Sequence, residues 1–166
     1  MHDEHSILPG VNFANHAVET KVNLTPKERA ERAAEAMWRE DRASTWLGMA
    51  LGTVDEGAAT LTLTVAPHHC NGLGICHGGI TFSLADSTFA FACNSRNQAT
   101  VAQHNTISFI APARLGDMLT ATAREVSTSG RNGIYDVRVT NQDGVVIAEM
   151  RGFSRAVKGQ LFEEER

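Results

Sequence analysis

The chain has 166 residues, 42% of them hydrophobic and 20% charged, and carries a net charge of −4. That length suits one domain with its own core, and an acidic balance with scattered Lys and Arg leaves no basic footprint for nucleic acid. The three cysteines, Cys70, Cys76 and Cys93, lie in apolar or Gly-rich settings that fit reduced thiols better than a disulfide framework.

Met1 to Thr25 has no period and reads as a tail or an arm laid over a partner. It lacks the basic start and apolar run of a signal peptide, and no stretch approaches the length of a membrane span, so a soluble cytoplasmic protein is expected. Thr25-Pro26-Lys27-Glu28 is a helix start, with Thr25 as N-cap, Pro26 at the first helical position and Glu28 three residues after the cap. The helix is expected to run to about Ser44, with Ala30, Ala33, Ala34, Met37 and Trp38 on its apolar face. From Trp46 the period changes to that of two strands joined at Asp55-Glu56-Gly57.

Pro67 ends the second strand, and a Gly-rich loop from Asn71 leads into a helix from about His77 to Asn94 that is apolar nearly all round. Such a helix is buried on most sides. Four strand candidates follow, Thr100 to Ile110, Asp117 to Ser127, Gly133 to Asn141 and Val145 to Ala156, separated by Gly, Asn, Asp and Pro turn residues. The order predicts an α+β domain in which a curved antiparallel sheet wraps one long apolar helix, with an additional helix before it.

Between Gly57 and Ala113 the only formally charged side chains are Asp86 and Arg96, and Asp86 lies among Ile80, Phe82, Leu84, Phe89 and Phe91. Asp86 is either a structural carboxylate or a catalytic one. Eight residues upstream, Gly78 and Gly79 begin the helix, where N–H groups have no intrahelical partner and the dipole is positive. Such donors can hold a carbonyl oxygen as it gains negative charge. At about 1.5 Å and 100° per residue, Asp86 lies roughly 12 Å along the helix from Gly78. One chain cannot bring both to one carbonyl; a two-fold dimer with antiparallel helices can, which predicts two shared sites.

His77 either bonds the loop or orients substrate, and Asn71 either closes an Asx-turn or holds water or a carbonyl near Asp86. Ser83 and Ser87 flank the carboxylate, but no histidine sits at triad spacing. The run His68, His69, Cys70, Cys76, His77 matches no zinc spacing, so no metal is expected. Gly72 and Gly74 lack the third glycine and the strand context of a dinucleotide site.

The segments Asn71-Gly72, Cys76-His77-Gly78-Gly79, Phe82-Ser83-Leu84-Ala85-Asp86, Phe89 to Ser95, Gly116 to Ala121 and Tyr135-Asp136-Val137 resemble those of the hotdog-fold acyl-CoA thioesterases of the PaaI type, associated with phenylacetic acid degradation. The resemblance covers roughly Ala36 to Val157. It implies a hotdog domain over 26–157, a C-terminal tail over 158–166, dimers paired through sheet edges, and a homotetramer of two such dimers. It implies no metal and no cofactor, coenzyme A being part of the substrate. By the family motif Asp86 is general base or nucleophile, and Gly78 of the facing subunit polarises the thioester carbonyl. Asn71 and His77 complete the site. Where the family carries an asparagine near the end of the first helix, this chain has Glu40.

The expected substrate is an aryl-acyl-CoA such as phenylacetyl-CoA or a ring-hydroxylated relative. Gly79, Arg114, Arg138 and Arg151 are the expected substrate-binding residues, the arginines for the phosphates of CoA. The alternatives are a hotdog-fold hydratase or dehydratase acting on an enoyl or hydroxyacyl thioester, which wants a histidine beside the acid, and a non-catalytic acyl-CoA-binding module.

Overall fold

The computed structural model describes residues 23–165. The proposed arm therefore lies outside the described residues, apart from its last three. Helix α1, Pro26–Glu40, opens with the expected capping box: Thr25 Oγ1 accepts from the Glu28 N–H, and the Glu28 carboxylate accepts from the Thr25 N–H at 2.8 Å. It ends four residues before the expected boundary. The cause is Asp41, whose carboxylate accepts from the Ser44 N–H at 2.9 Å and starts a separate short helix, α2, Arg42–Trp46.

Six strands follow the predicted order: β1 Met49–Asp55, β2 Ala58–Thr64, β3 Thr100–Phe109, β4 Met118–Ser129, β5 Asn132–Thr140 and β6 Val146–Ala156. They form one antiparallel sheet in the order β1-β2-β4-β5-β6-β3, which leaves β1 and β3 as its edges. Gly57 turns the first hairpin at φ +72°, a conformation glycine adopts without strain.

Between β2 and β4 lies helix α3, Gly78–Asn94, a 17-residue rod that packs against β2, β3, β4, β5 and β6. The alternation of the strands supplies its bed. Leu61 pairs with Ala121, Ala121 with Val139 and Val139 with Ala148, all four fully buried. Small residues on β4 let the helix sit close while Leu84, Phe89 and Phe91 fill the space on either side, a volume match that a buried helix needs. Trp38 of α1 closes the far side against Phe91 at 5.9 Å between ring centroids. This is the expected hotdog arrangement.

The C-terminal segment is held against the domain. The Asn97 side-chain oxygen accepts from the N–H groups of Leu161 and Phe162, and Glu164 pairs with Arg29 of α1 at 2.9 Å. Among the described residues no helix is long and apolar enough to cross a membrane.

Candidate active site

The loop before α3 brings several of the expected residues together. Asn71 Oδ1 accepts from the Leu73 N–H at 2.9 Å, an Asx-turn that closes the loop. His77 is the N-cap of α3, and its Nδ1 accepts from the Gly79 N–H at 2.9 Å. This corrects the expectation of two free donors: the Gly79 N–H is taken by the histidine ring. The Gly78 N–H makes no hydrogen bond among the described residues. It stands at the positive end of the helix dipole.

Asn71, Ile75, Cys76, Gly78, Thr81 and Phe109 line a groove of about 500 Å³ between this loop and the end of β3. Phe109 forms its wall so closely that a Cβ on Gly78 would lie 3.1 Å from the ring. A larger residue here would require the Phe109 ring to move aside.

Asp86 does not line that groove. It sits two turns further along α3, half-buried, and its Oδ1 accepts from the Asn105 amide of β3 at 2.5 Å. Burial raises the pKa of the carboxyl, and the Asn105 hydrogen bond opposes that rise by favouring the ionised form. Asn105 has room because its strand partner on β6 is Gly152; a Cβ there would meet the Phe89 ring at 3.0 Å and Asn105 Oδ1 at 3.1 Å. The side-chain oxygen of Asn105 is itself buried and has no hydrogen-bond partner.

Sequence reasoning missed Asn105. Alternation along Gln103-His104-Asn105-Thr106 offers no apolar marker, and a bulge between Ala102 and His104 resets which side chains face the helix. His104 lies one position off, exposed, with its ring 5.7 Å from Phe153. As its neighbour Asn105 faces Asp86, the strand turns His104 to the other side. Within one subunit, His104 and Asp86 therefore do not pair.

The flanking serines are committed elsewhere. Ser83 Oγ donates to the Gly79 carbonyl, and Ser87 Oγ bonds Ser44 Oγ of α2 at 2.8 Å. Glu40 is exposed at the last position of α1.

The arginines part company. Arg151 is bidentate to Asp136 at 2.7 and 2.8 Å, and Arg138 pairs with Glu149 at 2.7 Å. These four side chains are on the sheet face opposite α3, since the intervening Val137, Val139 and Met150 face the core. Arg138 and Arg151 thus stand in a charge ladder on that face, each paired with a carboxylate and apart from the groove beside Gly78. Arg114 differs: it is exposed, pairs in backbone register with Ile75, and follows Ala113 on the groove wall. Among the described residues no three His, Cys, Asp or Glu side chains cluster as a metal site.

A sheet wrapped on one long helix, with a half-buried carboxylate along that helix and an open N–H at its start, is the arrangement that comparison with known proteins places in a class. Residues 73–148 match the family description "Thioesterase superfamily". The acyl-coenzyme A thioesterase PaaI of Escherichia coli K12 is 41% identical over 136 residues, 82% of this chain and 97% of that protein. The chain belongs to the thioesterase superfamily, has its hotdog fold, and is a thioester hydrolase.

The solved structure of the E. coli PaaI protein from the phenylacetic acid degradation operon superposes with a TM-score of 0.81 at 40% identity, covering 82% of this chain and 99% of that one. A mutant of the phenylacetic acid degradation protein PaaI from Thermus thermophilus gives a TM-score of 0.68 at 31% identity, with 70% and 100% covered. Human acyl-coenzyme A thioesterase 13 is 32% identical over 57% of this chain and 70% of its own length.

Proposed function

We propose that this chain hydrolyses acyl-CoA thioesters, with an aryl-acyl group such as phenylacetyl or hydroxyphenylacetyl as the preferred acyl part. The names of the PaaI relatives support the CoA ester and the aryl group. In this reading Asp86 is the general base that takes a proton from water attacking the thioester carbon. The Gly78 N–H of the facing subunit stabilises the oxyanion, and coenzyme A leaves as the thiol. Asn105 holds the Asp86 carboxylate in one orientation and favours its ionised form. Asn71 and His77 shape the donor end, and Arg114 meets the CoA phosphates at the groove mouth.

One observation carries this reading. Asp86 and the open N–H of Gly78 lie on the same rigid helix about two turns apart, with an exposed sheet edge, β3, beside both. A dimer paired along β3, where Val101 and Phe109 are 50% and 55% exposed, would lay two α3 helices side by side and make two complete sites.

Thiol release from phenylacetyl-CoA, followed with a thiol reagent in wild type and Asp86→Asn, tests the proposal. Release with turnover in the wild type and its loss in the variant are expected. A panel of aryl and fatty acyl-CoAs sets the acyl preference. Binding without release from any member would identify an acyl-CoA-binding module instead, and hydration of an enoyl-CoA with the thioester intact would identify a hydratase.

A further inference from the structure

Two of the three cysteines, one of them on the groove wall, are paired across a short backbone bridge. Cys70 and Cys76 are partners in an isolated antiparallel bridge across the Asn71–Ile75 loop. The flanking hydrogen bonds run from the Asn71 N–H to the Ile75 carbonyl at 2.9 Å and from the His77 N–H to the His69 carbonyl at 2.8 Å. Both bonds belong to neighbours of the cysteines, so Cys70 and Cys76 form a non-hydrogen-bonded pair, the kind whose Cα atoms approach to about 4.5 Å with side chains on one side. That spacing is within the range of about 4.4–6.8 Å that a disulfide spans.

We propose that Cys70 and Cys76 form a reversible intrachain disulfide, a thiol-oxidation site that ties the Asn71–Ile75 loop at the rim of the groove, with a small-molecule disulfide such as glutathione disulfide as oxidant. In the reduced form each sulfur makes only long contacts, Cys70 to the Ala66 carbonyl and Cys76 to the His77 carbonyl and the Thr81 hydroxyl, all at 3.8 Å. Rotation about the Cα–Cβ bonds therefore gives up little. Cys70 is half-buried and Cys76 only 6% exposed, so the oxidant meets Cys70 first.

The Cys70 thiolate attacks one sulfur of glutathione disulfide and releases one glutathione. Cys76, as thiolate, then attacks the Cys70 sulfur and releases the second. Two thiol protons and two electrons leave the protein, and one glutathione disulfide becomes two glutathione thiols. Burial pushes the Cys76 thiol up, which makes the second step the slower one. Cys93 stands apart near the far end of α3, 7% exposed, and burial pushes its thiol up to about 12, so it stays unreacted.

The loop between the two cysteines contains Gly72 and Gly74, the latter at φ +73°, and exposes Leu73. A cross-link removes the freedom that these glycines give the unfolded and open loop.

The test uses the full chain, reduced and then incubated with glutathione disulfide. Expected are the loss of two hydrogens by intact mass, a peptide linking Cys70 to Cys76, full reversal by dithiothreitol, and a higher Tm for the oxidised form. The Cys70→Ser variant should show neither the linked peptide nor the Tm rise. A stable glutathione adduct on Cys70 with Cys76 still open to alkylation would overturn the proposal, as would both thiols remaining alkylatable. A Tm rise that persists in Cys70→Ser would do the same.

Discussion

Asn105 and Asp86 meet between β3 and α3, the amide donating to one carboxylate oxygen at 2.5 Å while its own oxygen is buried without a partner. An unpaired buried carbonyl costs about 1–3 kcal/mol. A residue kept for packing alone would not carry that cost. Asn105→Leu removes that cost but leaves the half-buried Asp86 carboxylate without its donor, so it should lose turnover and lose stability towards neutral pH. Because the lost hydrogen bond lowers the Asp86 pKa, its removal raises that pKa, and the acid limb of the kcat/KM profile moves to higher pH. Asn105→Asp, isosteric but anionic, should move the limb further in the same direction. An unchanged pH profile in both variants would make Asn105 a packing residue.

Asp86→Asn keeps an oxygen to accept from Asn105 and removes the charge. As loss of a general base it should lower kcat by roughly 10²–10⁴-fold with little change in KM. The stability change has a definite sign. A carboxyl whose pKa is raised on folding contributes stability below its unfolded pKa and loses it as pH rises through the folded value. The variant should thus match the wild type in acid and gain on it towards neutral pH. Thermal melts across that range check this, and a variant less stable than wild type at neutral pH would contradict it.

The role of Asp86 as base rather than nucleophile is separable by a single turnover in heavy-oxygen water with enzyme in excess. A general base puts the label in the released acid alone. Label in the Asp86 carboxylate, found by peptide mass, would mean that an anhydride had formed and been opened by water.

Of the three arginines, only Arg114 adjoins the groove, whereas Arg138 and Arg151 are paired with Glu149 and Asp136. Arg114→Gln should raise KM for acyl-CoA several-fold without lowering kcat, the signature of binding shared by ground and transition states. Arg138→Gln should leave KM unchanged, since its guanidinium is engaged by Glu149 on the face away from the groove. Kinetics on a CoA ester compared with a short pantetheine ester check both, because the latter carries no nucleotide phosphates.

Much of the fold was legible in the sequence because its signals are local. Thr25-Pro26-Lys27-Glu28 announces a helix start, Asp55-Glu56-Gly57 a hairpin, and the apolar run after Gly78 a helix that must be buried. The break at Asp41 is also local: the helical pattern continues through it, but the aspartate caps the next turn instead.

What stayed hidden depends on contacts between distant segments. That Gly79 is silenced by His77 requires a rotamer, and that Arg138 and Arg151 are occupied requires the register of β5 on β6. Asn105 could not be found by alternation because the bulge beside it shifts the phase of β3. Gly152, which makes room for it, lies on another strand far along the chain and looks like any strand glycine.

In the proposed dimer each site takes Asp86 from one subunit and the Gly78 N–H from the other. Gly78→Pro deletes that N–H while proline and the extended His77 before it suit a first helical position, and its Cβ requires the Phe109 ring to shift. Asp86→Asn and Gly78→Pro chains should each be inactive as pure proteins. Co-expressed at equal levels they pair at random, and half of the dimers then carry one intact site. Activity of about a quarter of wild type is predicted for the mixture, the share expected when two subunits build each site. A mixture as inactive as its two components would contradict the shared site.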